Sequence, residues 1–421
     1  MNWKITVVFV IGIMISACQT TTPPPTNNAN NAAPPKPSAT PAAQTSDTSK
    51  KAPPTDLQEL AKRIVTQSAG VKEGESVMVN GSARDMELLE DIVTEVEKVG
   101  GQPLLSINSE RITKRSYTEV PEKYDSQEPK FGLAMARITD VSIFVDSSET
   151  EGLLADIPNI SARSAARSKA GLPVNEESRK HKTRFVEVGN ELYPTEWRAK
   201  RFDMTTDAFA KLFWEGVNID YTNLQAAGEK ARTALIGKEL EITHPNGTDL
   251  KMNIQGRPVY ISDGIISADD VAKGSFDVFL PAGEAAITPV ANSGDGTFII
   301  EKDYFQGKEV GNVKLTFAGG KLTTMTGEGP GFEAMKADYE ANPAGKELLG
   351  YVDIGINPNF LLSPGSKLGN WVSAGMVSVG TGNNTWANGT NNVSGGAGGH
   401  LAGCTVKLDG KIIVENGTLK F

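Results

Sequence analysis

ESVMVNGSARDMELLEDIVTEVEKVGGQPLLSIN, residues 75–108, carries two short apolar runs on either side of an amphipathic one. Residues 76–79 read as a short buried strand. Over 85–99, Leu88, Leu89, Ile92, Val93 and Val96 recur on one stripe, the spacing of a helix with a single apolar face. Gly100-Gly101 ends that helix, and residues 103–107 supply the second strand. A parallel return needs a crossover, so strand, helix and strand at this spacing form a βαβ unit. Upstream, Leu57, Leu60, Ala61, Ile64 and Val65 mark a helix over 56–69, capped by Asp56 or Thr55. Downstream, a third buried strand over 141–145 ends at Asp146. The front of the folded chain is an α/β domain.

Further helices are expected over 161–182, 206–217 and 224–235. The first is basic, with Arg163, Arg167, Lys169, Arg179, Lys180 and Lys182 around His181, and reads as a solvated face rather than an anion site. After Gly237 the pattern changes to short strands separated by Gly, Asn and Asp: 239–243, 250–254, 276–279, 286–290, 296–300 and 313–317. Pro245-Asn246-Gly247-Thr248-Asp249 is a hairpin turn, and Asp409-Gly410 marks another. The expected fold class is an α/β N-terminal domain (56–237) followed by a β-rich, α+β C-terminal domain (238–421).

The N-terminus is a targeting segment. Lys4 is followed by an apolar run over 5–15 and then by Ile15-Ser16-Ala17-Cys18. The run is too short to span a bilayer and fits a secretory signal peptide over 1–18. Its end resembles the bacterial lipobox, which makes Cys18 the lipid-accepting residue and the membrane anchor. Gln19 follows where an inner-membrane retention signal would place Asp, so the expected location is the cell envelope, at the outer membrane. Residues 19–55, rich in Pro, Thr and Asn, lack the apolar bulk to offset ordering entropy and read as a disordered spacer. With Cys18 lipidated, Cys404 is the second of two cysteines and has no disulfide partner; it reads as a small buried hydrophobe. The formal charge of −9 and the lack of a basic, aromatic-interleaved patch exclude a nucleic-acid partner.

Several ordered strings carry a resemblance. They are Tyr193-Pro194-Thr195-Glu196, residues 217–221, residues 242–250, Leu280-Pro281-Ala282-Gly283-Glu284, residues 350–358 and residues 406–410. Their order is similar to that of the aminopeptidase T-like thermophilic metalloprotease family, from about residue 56 to the end. The resemblance implies a two-domain fold, a homodimer, and a deep cavity with a two-metal site (zinc, cobalt or manganese) that removes N-terminal residues from peptides. The family builds that site from two Glu, two His, an Asp and a Tyr.

Glu284 matches the first family Glu. Tyr351 stands where the second would follow Gly350, and Asp353, two residues on, shares its strand face. Asp353 is therefore either the replacement ligand or a sign that the ligand is lost. Ser378, in Gly375-Met376-Val377-Ser378, replaces the first His. His400-Leu401-Ala402 retains the second His with Ala402 in place of Asp, so His400 is either a displaced ligand or a loop residue. The candidate metal set is Glu284, Asp353 and His400. Residues 380–399, rich in Gly and Asn, form either a flexible loop or a rim with Trp386 as an aromatic platform. Two functions remain open: an envelope-anchored metal-dependent aminopeptidase, and a non-catalytic relative that binds peptides or acts in envelope assembly.

Overall fold

The computed structural model describes residues 53–146, 148–393 and 395–421. The signal segment, Cys18 and nearly all of the expected spacer lie outside the described residues. β1 (Ser76–Ser82) and β2 (Gln102–Asn108) are parallel, joined by the helix Met86–Lys98. That helix buries Leu88, Leu89, Ile92 and Val96, the stripe read from the sequence. The helix Leu57–Arg63 starts at Asp56, whose carboxylate accepts from the Glu59 amide, and runs on as a π-helical turn, Ile64–Ser68.

β3 (Val141–Val145) pairs parallel with β1, and β4 (Arg184–Val188) pairs parallel with β3. β4 has no clear apolar run, because Arg184 and Glu187 interrupt it, yet Val186 and Val188 are fully buried. β5 (Glu239–His244) and β6 (Thr248–Asn253) form the hairpin expected around Asn246-Gly247. β7 (Val259–Ser262) begins a separate sheet. β8 (Asp277–Leu280) then turns back and pairs parallel with β4, so the first sheet has the order β2-β1-β3-β4-β8. A strand from beyond Gly237 thus completes the N-terminal sheet, covering the backbone groups that β4 would otherwise leave unpaired.

The short link Pro281-Ala282-Gly283 carries the chain directly from β8 into β9 (Glu284–Ile287) of the third sheet. β10 (Asp295–Phe305), β11 (Lys308–Ala318) and β12 (Lys321–Glu328) extend the hairpin sheet. β13 (Leu349–Gly355), β14 (Val377–Thr381) and β15 (Gly398–Leu401) extend the third sheet, whose order is β15-β14-β13-β9-β7. β16 (Thr405–Leu408), β17 (Lys411–Glu415) and β18 (Thr418–Leu419) close the second sheet. Asp409 and Gly410 both have positive φ, as a two-residue hairpin turn requires.

The helix Ile160–His181 keeps Lys169, Arg179, Lys180 and His181 exposed, the solvated face expected of it, but Arg163 and Arg167 depart from that face. Arg163 is 6% exposed and donates to both oxygens of Asp125, at 2.6 and 3.1 Å, while Arg167 reaches the same carboxylate at 2.6 Å. Those two cations hold a neighbouring segment in place through a buried ion pair. Cys404 is fully buried and unbridged, and burial pushes its thiol pKa up. No helix among the described residues is long and apolar enough to cross a membrane.

Candidate functional site

The third sheet presents its candidate residues in rows. Tyr260 on β7, Ala286 on β9, Asp353 on β13, Ser378 on β14 and His400 on β15 lie directly opposite one another across successive strands. Directly paired residues share a face, so their side chains project to the same side. Ser262, Glu284 and Gly355 make the next row. Tyr351 and Gly380 lie in a third row on the other side of Asp353. Glu284 is therefore two residues from Ala286, and Tyr351 two from Asp353, all on one face.

Local geometry fixes each of these side chains. Gly283, before Glu284, has φ +130, and a Cβ there would lie 2.7 Å from the Cβ of Asn357. Only glycine fits, which is how the Pro281-Ala282-Gly283 link aims Glu284. Gly380 leaves the space that the Tyr351 ring occupies; a Cβ added there would overlap the ring. Trp386 meets Tyr351 edge to face at 5.0 Å and Tyr260 at 5.7 Å. Residues 380–393 are not a loose loop. Asn384 donates to Gly350 O at 3.1 Å and accepts from the Asn391 amide at 2.8 Å. Asn391 in turn donates to Gly345 O and Gly382 O, both at 2.9 Å. These amides pin Trp386 over the site.

Asp353 is 2% exposed, and its Oδ1 has no hydrogen-bond partner. Burial first, and Glu284 second, hold its carboxyl well above the usual carboxylate range. Burial also raises the Tyr351 and Tyr260 phenols, with Asp353 and Glu284 adding to both. His400 is committed elsewhere: its Nδ1 lies 2.7 Å from Ser378 Oγ, and its ring packs on Trp371 at 5.3 Å. Burial lowers its pKa to about 3, so the imidazole is neutral. The other histidines are also accounted for, with His181 3.1 Å from Asp140 and His244 Nδ1 accepting from the Asn246 amide.

Of the candidate ligands, Glu284 and Asp353 are brought together and His400 is not. Among the described residues no group of three or more His, Cys, Asp or Glu is arranged to hold a metal ion. A catalytic zinc takes three protein ligands and keeps one open position, and a metal pair needs more. By the resemblance, a buried phenol (Tyr351), a hydroxyl tied to an imidazole (Ser378) and Ala402, which has no donor, stand where three family ligands would be. The residues present do not fit a two-metal centre. Sequence reasoning missed Tyr260, whose short strand carries no motif.

A second polar cluster sits at the carboxyl ends of β1, β3 and β4, where parallel sheets often place ligands. Arg84 stacks on Tyr193 at 4.1 Å and donates to Asp146 O at 2.6 Å, while Arg198 reaches the Asp146 carboxylate at 3.1 Å. Glu187, inside β4, is pushed up to about 7, mainly by burial and then by Asp146 and Glu191. Below the ordinary value of 4.5, folded and unfolded chains both carry its proton. Between 4.5 and 7 the unfolded chain alone loses it, so stability falls as pH rises, and the full cost is reached above 7. Glu187→Gln is expected to leave stability at pH 4 unchanged and to raise it at pH 8 by about 1–3 kcal/mol. Urea unfolding at the two pH values measures this, and equal effects at both would contradict it.

The architecture, a parallel sheet joined to two antiparallel sheets, has known counterparts. A structure described as wild-type AmpT from Thermus thermophilus aligns with a TM-score of 0.66 at 14% identity, covering 87% of this chain and 99% of that one. A 2,5-dihydroxypyridine dioxygenase from Pseudomonas putida KT2440 aligns with a TM-score of 0.52 at 15% identity, covering 86% and 96%. A search of curated protein sequences gave no match. The thermophilic metalloprotease family, M29, matches residues 54–348, and the chain belongs to that family. Family and fold are those of metallopeptidase-type aminopeptidases. The matched stretch contains Glu284 and ends before Tyr351, Asp353, Ser378, His400 and Ala402. The dioxygenase has the same fold with different chemistry, so the reaction must be argued from the site.

Proposed function

We propose that this chain is an envelope lipoprotein, anchored through Cys18 and held off the membrane by residues 19–55, that binds extracytoplasmic peptides in an aminopeptidase-like site without metal-dependent turnover. The reading rests on family membership and fold, which favour peptides as the ligand. The observation that carries it is the row from Asp353 through Ser378 to His400, in which Ser378, the residue that the resemblance sets against a metal-binding His, is hydrogen-bonded to the His400 imidazole. Family membership also supports the alternative, an aminopeptidase using Glu284 and Asp353 with zinc, cobalt or manganese. One experiment separates them. The full-length protein is recovered from membranes in detergent, and its metal content, hydrolysis of amino-acid amides and peptide affinity are measured with and without chelator. The expected result is recovery in the membrane fraction, sub-stoichiometric metal, no turnover, and peptide binding unaffected by chelator. Chelator-sensitive turnover abolished by Glu284→Ala would establish the aminopeptidase instead.

A further inference from the structure

We infer that the outer edge of β2 is a pairing surface for a second copy of this chain, met antiparallel about Ser106 so that two first sheets join into one. β2 is an end strand of its sheet, and among the described residues no strand pairs with its outer side. Leu104, Leu105 and Ile107 are 47%, 36% and 40% exposed, in a strand, Gln102–Asn108, that has no charged side chain. Soluble proteins guard such edges with charge, bulges or cover, because an open ladder recruits another strand. β12, the end strand of the second sheet, is guarded in that way: its exposed residues are Lys321, Thr323, Thr324, Thr326 and Glu328.

The backbone of β2 decides which partner fits. Gln102 donates its amide to Glu75 O, on the β1 side, at 2.8 Å, and hydrogen-bonding directions alternate along a strand. Residues 102, 104, 106 and 108 therefore face β1, and residues 103, 105, 107 and 109 face out. Ser109 continues the extended backbone, with φ −142 and ψ 122. Two of the outward positions are incomplete. Pro103 has no N–H to give, and Ser109 O already accepts from the Thr113 amide at 3.0 Å. An antiparallel copy centred on Ser106 sets residue 105 against 107 and residue 103 against 109. The donor that Pro103 lacks then falls opposite the acceptor that Ser109 has committed, and every other outward amide and carbonyl finds a partner. Centred on Leu105 instead, Pro103 would face Ile107 and leave its carbonyl without a donor. The edge is complementary to itself in one register.

The side chains agree with that register. Leu105 and Ile107 share the face of Val79 and Gly81, where the helix Met86–Lys98 packs. Leu105 meets Ile107 of the second copy on each side of the two-fold axis, an aliphatic pair made twice. On the opposite face Leu104 meets Asn108, and Ser106 meets Ser106. No like charges stand opposite one another along the seam, and apolar cross-strand pairs stabilise it. The seam lies outside every string that carries the family resemblance, and the pairing uses none of the residues of the third-sheet site.

The test is disulfide trapping in the full-length protein. Directly opposite residues of an antiparallel pair that exchange no hydrogen bonds bring their Cα atoms to about 4.5 Å, within disulfide reach. Ser106→Cys is therefore expected to give a covalent dimer under mild oxidation. Leu104→Cys, although more exposed, lies four residues out of register with its own copy, roughly 13 Å away, and is expected to link at least about tenfold more slowly. Adding Asn108→Cys to Leu104→Cys sets the two thiols opposite each other and is expected to restore linking. Leu105→Lys, which places a cation against each Ile107, is expected to halve the mass read by sedimentation equilibrium, with circular dichroism showing that it is folded. Absence of a covalent Ser106→Cys dimer, or linking no faster than that of Leu104→Cys, would overturn the pairing, and so would a folded Leu105→Lys of unchanged mass. Should Leu105→Lys not fold, the trapping comparison alone decides.

Discussion

Asn357→Leu is expected to destabilise the protein by about 4 kcal/mol or more, the loss that follows when a buried residue with several hydrogen bonds is removed. Asn357 is fully buried just beyond β13. Its Nδ2 donates to Gly216 O at 3.0 Å and Ala282 O at 2.7 Å. Its Oδ1 accepts from the amides of Asn359 at 2.9 Å and Phe360 at 3.2 Å. All four bonds are local or reach across the chain to a helix of the first domain and to the link before Glu284. Leucine has the same branching and is somewhat larger, so the loss is one of polar satisfaction, with overpacking added, rather than of a cavity. The carbonyls of Gly216 and Ala282 would be left without that donor in a region closed to water. Asn357→Asp, which keeps the shape but turns a donor into an acceptor facing two carbonyls, is expected to be at least as damaging. Denaturant midpoints measured on the purified protein decide this. A loss under about 1 kcal/mol for either variant would mean that the junction does not depend on this residue.

The same junction shows what the sequence could and could not disclose. The βαβ unit of residues 75–108 was legible because helix and strand periodicity are local properties, and the stripe of Leu88, Leu89, Ile92 and Val96 is the one that is buried. Hairpins at Asn246-Gly247 and Asp409-Gly410 were legible because their turns need particular residues. β4 was not, because Arg184 and Glu187 mask a strand whose inward residues are Val186 and Val188. The return of β8 to the first sheet was not legible either. Pairing between strands some ninety residues apart leaves no mark in either segment beyond its hydrophobicity. The burial of Arg163 depended in the same way on a distant Asp125.

The site was legible in one respect: a period of two puts Tyr351 and Asp353 on one face, and the pairing with β9 brings Glu284 to that face. The contribution of Tyr260 was hidden, because a tyrosine in a four-residue strand is ordinary until its neighbours are known. The serine–imidazole bond was hidden as well. His400 reads in sequence as either a displaced ligand or a loop residue, and only the register of β14 with β15 places Ser378 beside it.

The triple replacement Tyr351→Glu, Ser378→His and Ala402→Asp is expected to make the protein retain divalent metal stoichiometrically through dialysis, where the unaltered chain is expected not to. The backbone argument favours this. The strands that present Glu284, position 351, position 378 and His400 are consecutive in the sheet, β9-β13-β14-β15, and rows on neighbouring strands lie roughly 5 Å apart. Carboxylates at 351 and 402 and an imidazole at 378 would supply the donors that a phenol, a hydroxyl and a methyl group do not. Removing the Ser378 hydroxyl also releases His400 Nδ1 from its present bond. Each single replacement is expected to fail, because each leaves a site with too few ligands and adds an uncompensated group to a buried face. Metal analysis after dialysis reads the result directly, and far-ultraviolet circular dichroism shows whether each variant is folded. A folded triple variant that remains free of metal would mean that sheet geometry, and not side-chain identity, excludes the ion.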